Sequence, residues 1–296
     1  MKRIVLNNRQ KNPAYFDLIV QHPANGCSGF FRIGDRAAAH ICLLEWRQDN
    51  PERKLIILDM PDAHNETLSC LIARQCPAEW VFGDLADELW LVDQPNELLP
   101  KPDAEPLYTQ RIWEWWYHFN KRSRNIQPTI RPPVESLEKA KVLREKWNLP
   151  KRYATFQPLF DAPYAEYRNQ PPEFWYEIAN NISQEIPLVI LGHPDVTKRM
   201  KTPVNAIAAW SESLNVLESM ALIEGATMHV GGETGTTIWS SIFGTHTYAI
   251  YANVIYEDLW FVEPISFGGQ VRINKTMDVG ITTIDIREWW KNLTIF

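Results

Sequence analysis

Short apolar runs alternate with longer amphipathic ones along this chain, and the two periods assign most of its elements. Tyr15–Val20 and Lys54–Asp59 carry the near-continuous apolar pattern of strands buried on both faces. Between them lie a glycine-bearing loop, His22–Phe31, and a helix-like run, Asp35–Gln48. That order is one βαβ unit. Trp80–Phe82 and Leu89–Val92 read as further short strands, and Tyr108–Lys121 as a helix with Ile112, Trp116 and Phe119 on one face. Pro128, Pro132 and Pro133 then forbid helix continuation, which puts a domain connection in Ser123–Pro133.

The same grammar returns beyond the prolines. Helices are predicted over Ser136–Trp147, Pro172–Gln184, Leu214–Glu224 and Thr236–Phe243, with strands at Tyr153–Gln157, Leu188–Leu191, Asn205–Ala209, Thr227–Val230 and Thr247–Tyr251. Gly225 is expected to stop its helix in a left-handed conformation. A last helix, Asp285–Lys291, opens with Asp285 and Glu288 at capping-box spacing and either closes the second domain or crosses back to the first. Strands alternating with helices of this length predict a doubly wound parallel sheet in this second half.

Length agrees with that division, since 296 residues correspond to about two ordinary domains. A formal charge of −6 argues against a general binder of nucleic-acid backbone, which needs clustered cations. Runs such as Leu55–Leu58 are too short for a membrane span, and Asn7–Lys11 interrupts any signal-peptide core. Cys27, Cys42, Cys70 and Cys76 form no CxxC pair and no zinc spacing, so a reduced, cytoplasmic chain is the expectation. The 13 Trp matter because Trp113, Trp115, Trp116 and Tyr117 cannot all face one core, so some must meet another domain, a glycan or a subunit; such aromatics mostly pack in a core or between domains, and the Trp113 and Trp289 clusters are expected where the two domains meet.

In open parallel sheets a ligand sits beyond the carboxyl ends of the strands. In the second half those positions hold Pro158–Asp161, Gly192–Asp195, Trp210–Ser211, Gly231–Thr236 and Ala252–Asn253. Gly231-Gly232-Glu233-Thr234-Gly235-Thr236 reads either as a tight turn or as a place where backbone and helix amides meet an anion. A phosphate would gain about 0.3 to 2 kcal/mol from the helix end alone. Arg168, just before a helix that starts at Pro171-Pro172, is either solvated or a fork for phosphate oxygens. Asp35, at the start of a predicted helix, is either an N-cap or a general base for a hydroxyl nucleophile.

The order of these pieces, from about Ile33 to Tyr251, resembles the ADP-heptose:lipopolysaccharide heptosyltransferases. The likeness is carried by Gly34-Asp35 with its helix, Asn50-Pro51, Leu55–Asp59, Arg168 with Pro172–Trp175, Leu188–Gly192, and Ser213–Ile223 leading to Gly232-Glu233-Thr234-Gly235. It implies an α/β GT-B fold of two Rossmann-like doubly wound domains facing a central cleft: residues 1–128 for the acceptor, 129–280 for the nucleotide sugar, and 281–296 as a C-terminal helix. The implied activity is inverting, metal-independent transfer of a sugar from a nucleotide-diphosphate sugar to a saccharide or glycolipid hydroxyl, without a cofactor, in the cytoplasm or peripherally at the inner membrane. In that frame Asp35 is the catalytic base; Arg168, Thr234, Gly235 and Thr236 hold the diphosphate; Glu233 binds the donor sugar; Gly192, His193, Trp210 and Ser211 border the nucleoside. The chain has no Asp-x-Asp motif for a diphosphate-bound metal.

Three departures from the family keep the donor sugar open: Glu233 stands where the family usually has Asp, Thr237-Ile238 where it has Ser-His, and Asn25–Gly29 has some likeness to a fucosyltransferase glycine loop. Competing functions are a sugar-nucleotide epimerase of the same architecture, and a non-catalytic relative that binds glycan or a partner.

Overall fold

A computed structural model of the chain describes residues 18–21, 55–59, 79–82, 131–159, 168–252 and 264–293, the first three segments as backbone. The chain divides into two compact units, Met1–Thr129 and Ile130–Phe296. In the first, β1 (Leu18–Gln21), β2 (Leu55–Asp59) and β3 (Glu79–Phe82) form a parallel sheet in that order. Leu18 stands opposite Leu55 and Ile56 opposite Glu79. The helices predicted over Asp35–Gln48 and Tyr108–Lys121, the strand at Leu89–Val92 and the four cysteines lie outside the described residues.

The second unit is a six-stranded sheet of β4 (Ala154–Gln157), β5 (Leu188–Ile190), β6 (Ala206–Ala208), β7 (Met228–Gly231), β8 (His246–Ile250) and β9 (Val271–Asn274). Every neighbouring pair is parallel and the order is β6-β5-β4-β7-β8-β9. From β4 the chain builds outward to β6, then returns to the far side of β4 and builds outward again. The reversal falls between β4 and β7, and this is the strand order of doubly wound nucleotide-binding sheets.

The connecting helices are α1 (Val134–Lys146), α2 (Pro172–Ile182), α3 (Pro194–Thr197), α4 (Val216–Glu224), α5 (Gly235–Ile242) and α6 (Val279–Asn292). Helix α2 forms where expected because Phe174, Trp175, Ile178, Ala179 and Ile182 recur every three or four residues, and all five are buried. Its start tolerates Pro171 and Pro172 because first-turn amides have no intrahelical acceptor. Helix α4 begins at a reciprocal capping box: Glu218 N donates to Asn215 Oδ1 and Asn215 N to Glu218 Oε2, both at 2.9 Å.

Three expectations are corrected. Gly225 is not left-handed; it ends α4 at φ −78°. The position is crowded, since a Cβ would lie 2.9 Å from Arg144 Nη1 and 3.0 Å from Tyr153 Oη, and the arginine side chain would have to give way. Helix α6 starts at Val279 rather than Asp285, because Asp278 caps it by accepting from Ile281 N at 2.9 Å. Asp285 is instead mid-helix, where it accepts from Tyr248 Oη at 2.7 Å and from Arg272 Nη2.

The third correction concerns Trp289 and Trp290. They are buried in the second unit's own core with Ile286, Trp175 and Tyr248, on a helix that packs against α2. Arg152 holds the end of α6 by donating to the carbonyls of Trp290 and Leu293 while its guanidinium lies 4.5 Å above the Trp290 ring. Strand β9 and the short α3 escaped sequence reading: β9 is a four-residue edge strand with alternating apolar and polar residues, and α3 is a single turn. Among the described residues, no helix is long and apolar enough to cross a membrane.

Candidate functional site

The reversal of strand order brings the end of β4 beside the end of β7, with Gln157 opposite Gly231. The chain then leaves β7 through Gly232, Glu233 and Thr234 into α5. Gly231 is dictated by what lies beneath the turn: a Cβ there would come within 2.5 Å of Thr237 Oγ1 and 2.9 Å of His229 Nε2. A Cβ on Gly232 would press the Trp175 ring, 3.2 Å from Cζ2. Close packing therefore accounts for the glycine pair, and the turn presses α5 against the strand ends. Trp175 is 1% exposed, yet its Nε1 has no hydrogen-bond partner.

Three threonine hydroxyls order the turn. Thr237 Oγ1 donates to the Gly232 carbonyl at 2.7 Å, which uses its single hydrogen. The 3.1 Å contact between Thr234 and Thr237 must then have Thr234 as donor, and the 2.9 Å contact between Thr236 and Thr234 must have Thr236 as donor. Gly232 O also accepts from Thr234 N at 2.9 Å. The hydroxyl of Thr234, singled out as a diphosphate contact, is thus directed inward in this arrangement, and Thr234 makes no side-chain cap bond to α5. What the turn can offer an anion is backbone: Thr237 N donates to the Thr234 carbonyl at 3.2 Å, but the amides of Gly235 and Thr236, the first two of α5, have no intrahelical acceptors.

Arg168 and Glu233 come together at this turn. Arg168 Nη1 donates to both Glu233 carboxylate oxygens at 3.1 Å, and the two side chains are only 7% and 14% exposed. Arg168 is therefore not a solvated loop residue. Two residues assigned separate partners, the diphosphate and the sugar, hold each other.

The nucleoside-side candidates lie at the ends of β5 and β6. Gly192 follows β5 at φ +132°, where a Cβ would also meet Thr197 Oγ1 at 2.2 Å. His193 caps α3, its Nδ1 accepting from Asp195 N at 3.3 Å. Trp210 is half-buried and donates through Nε1 to Thr202 Oγ1 at 3.2 Å, and exposed Ser211 donates to the Ala208 carbonyl at 2.7 Å. Asp35 lies outside the described residues. Among the described residues, no group of three or more His, Cys, Asp or Glu side chains could share a metal ion.

Two buried polar residues near the turn were not expected from the sequence. Gln170 is 1% exposed with an unpartnered Oε1, and His229 is fully buried inside β7 with its Nδ1 2.9 Å from Thr155 Oγ1 and Nε2 unpartnered. A polar side chain inside an apolar strand run, Met228-His229-Val230, was the available signal. Burial lowers the His229 pKa to about 3. A histidine harder to protonate folded than unfolded gives stability above the unfolded pKa and loses it as pH falls from about 6.5 toward 3. At about 1.4 kcal/mol per pH unit, wild type should lose about 2 to 3 kcal/mol more than His229→Gln between pH 6.5 and 4.5 in urea unfolding. Parallel pH profiles would show that His229 titrates freely in the fold.

The sequence matches no protein-family model and no curated protein. Solved structures are similar in fold. A glycosyl transferase family 9 structure from Veillonella parvula DSM 2008 matches with a TM-score of 0.56 at 13% identity, over 99% of this chain and 94% of that one. The E. coli ADP-heptose LPS heptosyltransferase II matches at 0.59 and 12% identity, over 93% and 98%. The E. coli heptosyltransferase WaaC with ADP matches at 0.51 and 11% identity, over the same shares. The chain therefore has the parallel α/β fold of these glycosyltransferase structures.

Proposed function

We propose that this chain is a GT-B glycosyltransferase that moves a sugar from a nucleoside-diphosphate sugar to a saccharide hydroxyl. The observation that carries the reading is the turn at the strand-order reversal, where the α5 amides, Arg168 and Glu233 converge. Backbone amides favour an anion there, and a guanidinium beside them adds a charge-assisted donor. The fold likeness to heptosyltransferase structures supports the same reaction class, and one of those structures is that of a protein with ADP. In this reading residues 1–128 take the acceptor and 129–280 the donor, with Gly192, His193, Trp210 and Ser211 toward the nucleoside.

The chemistry follows from those roles. Asp35 removes the acceptor proton as the hydroxyl oxygen attacks the anomeric carbon; the bond from that carbon to the diphosphate breaks, and the departing oxygen keeps the electron pair. Attack opposite the leaving group inverts the anomeric centre. The α5 amides and Arg168 meet the charge that develops on the diphosphate, which is the task a metal ion performs in other transferases.

A thermal-shift panel of ADP-, GDP-, UDP- and CMP-sugars tests the reading. A ligand that binds only the folded state at a hundred times its Kd adds about 2.7 kcal/mol. One of the ADP-, GDP- or UDP-sugars should raise the melting temperature; no response from these three, or a response from the monophosphate CMP-sugar alone, would overturn the assignment.

A further inference from the structure

We infer that Glu233 makes the site discriminate between an esterified diphosphate and the free nucleoside diphosphate, so that the product is held more weakly than the donor. The inference rests on the reading above. Both Glu233 oxygens lie 3.1 Å from Arg168 Nη1, and the carboxylate is 14% exposed, so its charge is only partly screened. A phosphate oxygen bonded to the same guanidinium would fall within about 4 to 6 Å of that carboxylate, since two hydrogen bonds of ordinary length meet at one planar group.

Transfer changes the charge at that place. In the donor the terminal phosphate is an ester; when the anomeric carbon–oxygen bond breaks, the oxygen retains the electron pair and the diphosphate gains one negative charge. The acceptor proton has gone to Asp35 and not to the diphosphate. Glu233 therefore opposes the product more than the donor, and a half-buried position strengthens that opposition relative to water. The same carboxylate holds Arg168 in place before any ligand arrives, so the site is ordered but close to neutral at the pair. An anion-binding turn with Arg168 alone would favour the more highly charged ligand and retain its product.

Calorimetry on the intact chain tests this with three pairs that differ in the ester: ADP and ADP-glucose, GDP and GDP-mannose, UDP and UDP-glucose. For the pair that binds wild type, Glu233→Gln should tighten the nucleoside diphosphate about tenfold more than the nucleotide sugar, and should raise product inhibition while Glu233→Asp keeps the wild-type ratio. Gln retains the size and one acceptor for Arg168, and unchanged circular dichroism and melting cooperativity confirm folding before binding is compared. Equal changes for both ligands, or weaker nucleoside diphosphate binding, would overturn the inference while leaving the transferase reading standing. Failure of every pair to bind wild type would remove the transferase reading itself, and this inference with it.

Discussion

Asp35→Asn is expected to lower sugar transfer by about 10² to 10⁴ while nucleotide affinity stays close to wild type, as measured by product formation and calorimetry on one preparation. A hydroxyl nucleophile must lose its proton as it attacks, and an amide of the same shape cannot accept that proton. The substitution also separates the two meanings of a carboxylate at a helix start. Asn caps a helix about as well as Asp, so a purely structural Asp35 would tolerate the change with transfer intact. Near-normal turnover would therefore remove Asp35 from the chemistry.

Arg168→Ala should have the second large effect, on stability and binding together. Arg168 is 7% and Glu233 14% exposed, and removing one partner of such a pair strips the other of its charge-assisted bond, at a cost approaching the ~3 to 5 kcal/mol of a fully buried pair. That corresponds to a melting temperature lower by on the order of 10 °C. Diphosphate affinity should fall as well, by the roughly 1.5 to 3 kcal/mol typical of a hydrogen bond to a charged group. The double variant Arg168→Ala/Glu233→Ala distinguishes the causes: stability should recover much of the loss, whereas affinity should stay low. If affinity returned with stability, Arg168 would be a structural partner of Glu233 and no more.

The second unit was readable because its elements are local statements. Helix α2 announces itself through the spacing of Phe174, Trp175, Ile178 and Ile182, and β4, β5 and β7 through short apolar runs. Placing candidates after the strands also found the turn, since ligand position in such sheets follows topology rather than a motif. The failures share a different origin. Gly225 carries no local mark of the Arg144 and Tyr153 atoms that crowd it. Asp285 and Glu288 have capping spacing, but Asp278 lies at the true start, and Asp285 bonds to Tyr248 of β8 and Arg272 of β9. The pairing of Arg168 with Glu233, 65 positions apart, is a tertiary fact, as is the inward polarity of the threonine hydroxyls. Trp289 and Trp290 misled because tryptophan content says that a large apolar surface must be covered, and not by which element.

Helix α6 also bears on how this chain comes into being. It supplies Ile286, Trp289 and Trp290 to a core that includes β4, and Arg152, at the entry to β4, reaches Trp290, 138 positions later. Residues synthesised well after β4 thus close a core opened by residues made much earlier. A ribosome working at about 5 to 20 residues per second would hold the half-built sheet open for roughly 7 to 28 seconds. Throughout that interval Trp175, Phe156 and Ile178 would face solvent or a chaperone, and a chain cut short before Val279 would remain in that state as a substrate for proteolysis.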